Sequence, residues 1–88
     1  MPAQYRSINI YRHTFAAKCP SDGEMIVYSL EIRSPKMILV EHIKTATALI
    51  KEGFQEQIAD ALIDRFCCEV EVKAVHQGVS IESLRLIE

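Results

Sequence analysis

The spacing of apolar side chains changes period along this chain and divides it into six segments. Residues 4–17 carry Tyr5, Ile8, Ile10, Tyr11 and Phe15 at short spacing, a β-forming composition that predicts a first strand. It breaks at Cys19-Pro20-Ser21-Asp22-Gly23, a turn. From Met25 to Arg33 the alternation is clean, with Ile26, Tyr28, Leu30 and Ile32 on one face and Val27, Ser29, Glu31 and Arg33 on the other. The short connection makes these two strands an antiparallel hairpin. Ser34-Pro35 then reads as an N-cap and first-turn proline for a helix over Lys36 to Lys51, its buried stripe being Met37, Val40, Ile43, Ala46, Leu49 and Ile50. Gly53 ends that helix. A second helix, about Phe54 to Phe66, carries Ile58, Ala61, Leu62 and Phe66 on one stripe, and the short gap sets the two helices antiparallel.

After Cys68 the period returns to two. Val70, Val72 and Ala74 alternate with Glu69, Glu71 and Lys73, Gln77-Gly78 breaks the run, and Val79 to Ile87 completes a second hairpin. The order ββααββ, free of repeats, linkers and low-complexity tracts, makes residues 1–88 a single α+β domain: a four-stranded antiparallel sheet with both helices on one face. Val27, Val75 and Val79 fall on the other face, which predicts self-association edge to edge to cover them.

Composition adjusts this picture in three ways. A chain of 88 residues buries only roughly 60–65 % of its unfolded surface, so an oligomer is expected. Ten basic against 12 acidic side chains give a net charge of −2, unlike the strongly basic domains that grip phosphate backbones. No apolar run approaches the ~18 residues of a membrane span, and Met1-Pro2-Ala3-Gln4-Tyr5-Arg6 holds no apolar leader, so a cytoplasmic protein away from membranes is expected. Three cysteines are too few for a secreted disulfide scaffold, and the neighbours Cys67 and Cys68 read as structural thiols. His42 and His76 read as ordinary helix and strand residues, and no metal is expected, because no Cys-x-x-Cys or His-x-x-x-His spacing accompanies them.

Three local motifs in this order resemble the tunnelling fold (T-fold), and within it the QueF family of 7-cyano-7-deazaguanine nitrile reductases. In residues 14–32, TFAAKCPSDGEMIVYSLEI, Cys19, Pro20 and Gly23 match the family's Cys-Pro-x-x-Gly turn. LVEH around Glu41 matches a Val-Glu pair opening the first helix, and in GFQEQIADAL Phe54 and Glu56 match its Phe-His-Glu motif. Gly78-Val79-Ser80-Ile81 is similar to the family's terminal hairpin, so the likeness spans roughly residues 14–83. The resemblance implies an oligomeric barrel of the pentamer or decamer type with pockets between subunits.

The resemblance also assigns roles. Cys19 would be the nucleophile, because a thiolate adds readily to a nitrile carbon and gives a covalent thioimide. Lys18 and Arg12 are the cations near it in sequence. Glu56 would hold the ring, its carboxylate accepting from the adjacent N–H and NH₂ of a guanine- or pterin-like edge. Glu41, Gln55 and Phe54 would be further substrate contacts. The family's catalytic Asp falls on Ile26 and its histidine on Gln55, which leaves Asp22 or His13 as the candidate proton donor. The nicotinamide-phosphate motif reads Glu41-His42-Ile43-Lys44-Thr45-Ala46, with most of its polar contacts absent.

The resemblance thus leaves NADPH as a cofactor whose motif is largely absent, and the second step as either NADPH reduction or amidination. The archaeal QueF-like amidinotransferases lack that motif, and they add ammonia to the nitrile carried on tRNA to make archaeosine. Beside these enzyme readings stand a non-catalytic T-fold module binding a guanine or pterin derivative and a GTP cyclohydrolase-like enzyme. The last needs two cysteines and a histidine on zinc, and Gly78 stands where the second cysteine should be.

Overall fold

In a computed structural model, which describes residues 4–88, the chain forms β1 (Asn9–Lys18), β2 (Met25–Ser34), α1 (Val40–Ala48), α2 (Gln55–Phe66), β3 (Glu69–His76) and β4 (Val79–Arg85). Met1-Pro2-Ala3, part of the N-terminus read above, lie outside the described residues. The strands make one antiparallel sheet in the order β1-β2-β3-β4. Alternation buries Ile26, Tyr28, Leu30 and Ile32 of β2 and Val70, Val72 and Ala74 of β3 on one face. Ile43 and Ala46 of α1 and Ile58, Ala59 and Leu62 of α2 complete the same core, so both helices cover that face. Each fully buried Leu or Ile contributes ~1.5–3 kcal/mol, which makes this layer the main source of stability.

The helices run in opposite directions. Val40, Ile43 and Lys44 lie beside Ile10 to His13, and Lys44 to Lys51 beside His13 to Ala16, so α1 follows β1. α2 returns across the other pair, tied by Gln55 to the carbonyls of Val72 and Ile81 and by Asp60 to Arg85.

Four expectations are corrected. β1 begins at Asn9, not residue 4, because its partner β2 ends at Ser34 opposite Asn9 and Pro35 has no N–H with which to continue a ladder. α1 begins at Val40, not Lys36. Ser34 is still strand, its hydroxyl bonds the carbonyl of Lys36 at 2.7 Å and accepts from its N–H at 3.0 Å, and Ile38 N–H donates to the Tyr11 hydroxyl at 2.9 Å. With these groups taken, Met37 lies exposed outside the helix. Nor does α1 reach Lys51 and Gly53: it stops at Ala48, and the backbone beyond is claimed by β1. Val79 pairs with His76 on the helix-bearing face and is exposed there, while Val27 and Val75 are exposed on the opposite face as expected.

That opposite face carries a row of alternating charges across all four strands. Arg12, Glu31, Arg33, Glu71, Lys73 and Glu82 follow one another at 2.6–3.6 Å. Solvent on this face is met by ion pairs in the middle of the sheet and by apolar side chains toward the end where β2 begins.

Candidate functional site

Cys19 is placed by backbone chemistry. Its N–H donates to Glu24 O at 2.8 Å and its carbonyl accepts from Gly23 N–H at 2.9 Å, closing the turn between β1 and β2. Gly23, at φ +77°, holds the left-handed conformation that only glycine adopts freely. Inside the turn Asp22 Oδ1 accepts from Glu24 N–H at 2.9 Å, an Asx-type brace that fixes its carboxylate.

The second hairpin ends at the same edge. Gln77 and Gly78 both have positive φ, 51° and 80°, the two-residue turn that matches strand twist. This turn brings His76 Nε2 within 2.8 Å and Gln77 Nε2 within 2.9 Å of Asp22 Oδ2. Cys19 Sγ, an Asp22 oxygen and a His76 ring nitrogen all lie within 4.8 Å of one another. The Glu24 amide, then Gln77, then His76 hold the Asp22 carboxyl far below the usual carboxylate range. Asp22 is therefore ionised at neutral pH, which suits it to accept and orient rather than to donate a proton.

β1 also fixes where α2 starts. Lys18 N–H donates to Lys51 O at 2.9 Å and Gly53 N–H donates to Lys18 O at 3.1 Å, a parallel bridge between Lys18 and Glu52. The residues that open α2 therefore follow directly from a segment pinned one residue before Cys19. Glu56 lies exposed in the first turn of α2, where the helix dipole favours an acid. Tyr28 lies between the two: it is buried, stacked on Phe15 at 5.5 Å, and its hydroxyl pKa is pushed up by burial and by the nearby charges of Cys19 and Glu56.

The other sequence candidates divide. Gln55 is buried, its amide donating to Val72 O at 2.9 Å and Ile81 O at 3.0 Å, so it is committed to holding α2 on β3 and β4. Phe54 is exposed at the helix N-cap, where its N–H donates to Gln57 Oε1 at 3.1 Å. Glu41 lies exposed in the first turn of α1, whose start packs near Ile10 to His13, toward the far end of β1 from Cys19. His13 lies six residues before Cys19 on a straight strand, roughly 20 Å away at the usual rise. Arg12 points to the opposite face and pairs with Glu31. Ile26 is core. His76, Gln77 and Tyr28 belong to the site although the sequence reading left them outside it.

Between the two hairpin ends the sheet opens. The β2–β3 ladder runs from Arg33↔Glu69 to Ser29↔Lys73 and stops there, while β2 extends back to Met25 and β3 on to His76. The gap is a cleft of about 570 Å³ lined by Glu24 to Val27 and Ala74 to Gly78, among others. That volume is in the range of small-molecule pockets.

The chain is thus a ββααββ domain, one antiparallel sheet with two helices on one face, with a cysteine-bearing turn close in space to the start of its second helix. A solved structure, the crystal structure of the archaeosine synthase QueF-Like in the apo form, shares this architecture. It matches with a TM-score of 0.78 at 17 % identity, covering 93 % of this chain and 94 % of that chain. No protein-family model matches the chain, and no curated protein matches it.

Proposed function

We propose that the chain acts on the nitrile of a 7-cyano-7-deazaguanine base, free or in tRNA, in a queuosine- or archaeosine-type modification. The observation that carries this reading is the grouping of a buried thiol, Cys19, with an Asp22–His76 pair at one end of the T-fold sheet. The architecture shared with an archaeosine synthase QueF-Like supports it. The Cys19 thiolate attacks the nitrile carbon, one π pair of the C≡N bond moves to nitrogen, and that nitrogen takes a proton from His76, held by Asp22. The product is a thioimide, and Glu56 grips the N–H and NH₂ edge of the ring.

Ammonia then adds to the thioimide carbon, one of its protons passes to the imide nitrogen and the Cys19 thiolate leaves, giving an amidinium with no change of oxidation state. Reduction would instead need hydride from NADPH, and the segment Glu41 to Ala46 offers few polar groups to hold its phosphate. Amidination is the second step we favour. The site is completed between subunits of a homo-oligomer of pentamer or decamer type in the cytoplasm.

Intact mass measurement of the protein incubated with the free nitrile base tests the first step. An added mass equal to one base is expected in the wild type and none in Cys19→Ala; a wild type without the adduct overturns the reading. One observation favours a second reading. Gln55, standing where the family has histidine, is locked onto two backbone carbonyls and is unable to move a proton. On that reading the chain binds a guanine or pterin derivative without turning it over. Saturable binding lost in Glu56→Ala, with no adduct and no product under ammonia or NADPH, would select it.

A further inference from the structure

The geometry points to a zinc-binding site made by Cys19, Asp22 and His76. The three residues come from the ends of two hairpins far apart in sequence, and each contributes one donor atom, all within 4.8 Å of one another. In a tetrahedral zinc site, bond lengths of ~2.0–2.3 Å put ligand atoms ~3.3–3.6 Å apart. The present triangle therefore needs only sub-ångström to about one-ångström adjustments. The His76–Asp22 separation of 2.8 Å is that of a hydrogen bond whose proton the metal would replace.

The donor set selects the ion. Thiolate and imidazole suit zinc and its neighbours, whereas Mg²⁺ and Ca²⁺ prefer all-oxygen ligands. Three protein ligands leave a fourth position open, and the exposed Glu24 carboxylate, 3.5 Å from His76 Nε2, stands at its rim. The support that metal ligands require is also in place: Asp22 is oriented by the Glu24 amide and the Gln77 side chain, and Cys19 by both its backbone groups.

The test uses the full chain, freed of metal, in a Cys67→Ser/Cys68→Ser background that removes the neighbouring thiols. Titration with Co²⁺ is expected to develop a sulfur-to-cobalt charge-transfer band saturating at one equivalent, and Zn²⁺ to abolish it. Cys19→Ser is expected to remove the band, and His76→Gln and Asp22→Asn each to weaken binding roughly tenfold or more. Absence of the band, its survival in Cys19→Ser, or an unchanged affinity in the ligand variant His76→Gln each overturns the site. Zinc is also expected to block adduct formation with the nitrile base, a consequence that rests on Cys19 being the nucleophile. Metal-free protein that forms no adduct defeats that proposed function and leaves the cobalt result standing.

Discussion

The seam between β2 and β3 has two unlike halves. From Arg33↔Glu69 to Ser29↔Lys73 the strands are zipped, with the core on one face and the charge row on the other. From there to the hairpin tips they part, and the two hairpins are held together at the tip by the bonds of His76 and Gln77 to Asp22. Gln55 takes the Val72 carbonyl close to the point of separation. In the zipped half side chains satisfy one another, and in the open half a thiol, an imidazole and a carboxylate gather beside a cleft. One half stabilises the domain and the other gathers the candidate site.

The sharpest way to break this division is a pair of substitutions. Cys19→Ala in the open half should abolish the nitrile adduct and cost only about 1 kcal/mol of stability, since it removes a single buried sulfur. Ile32→Ala in the zipped half empties a fully buried position and should cost about 2–5 kcal/mol in urea unfolding, while folded protein still forms the adduct. Loss of the adduct from folded Ile32→Ala would dissolve the distinction. Gln55→Leu comes next in size: it leaves the Val72 and Ile81 carbonyls without their donor and should cost about 1–3 kcal/mol. A neutral result would mean that the amide does not pin α2 at the fork.

The zipped half was the legible half. Alternation through Leu30 and Ile32 and through Val70 and Val72 encodes a face directly, and it carries on past the seam to Ile26 and Ala74; the stripe Ile58-Leu62 does so for α2, which begins within a residue of its expected place. α1 was misread because Ser34-Pro35 carries a cap-like signal that the structure spends on a turn, and no local pattern shows that Tyr11 will take the Ile38 amide. In the open half Cys19 and Asp22 were visible because they share one turn. His76 was not, since its partnership with Asp22 spans 54 positions and depends on both hairpins ending at one edge. The signal was present in the register: with β2 beside β3, a turn at Gln77-Gly78 must lie near the turn that precedes Met25. Ligand spacing within a single element cannot reveal such a cluster.

The smallest expected effect tests whether the charge row belongs to the stabilising half at all. Glu31 bridges Arg33 at 2.6 Å and Arg12 at 3.0 Å, and its carboxyl is held below its ordinary value of 4.5, first by the Arg33 hydrogen bond. A carboxylate whose pKa is lowered by folding stabilises the native state above that ordinary value, and the contribution fades as pH falls through the folded value. The stability difference between wild type and Glu31→Gln should therefore be flat near neutral pH and shrink below about pH 4.5. Its size should be under about 1 kcal/mol, because Arg12 is largely exposed and water screens the pair. Raising salt from 0.1 M to 1 M shortens the screening length from ~10 to ~3 Å and should reduce the difference further. Urea melts across that pH and salt series measure it. A difference of several kcal/mol that ignores salt would mean that the row supports the fold as the core does, by desolvated pairing, and that the zipped half has two stabilising faces rather than one.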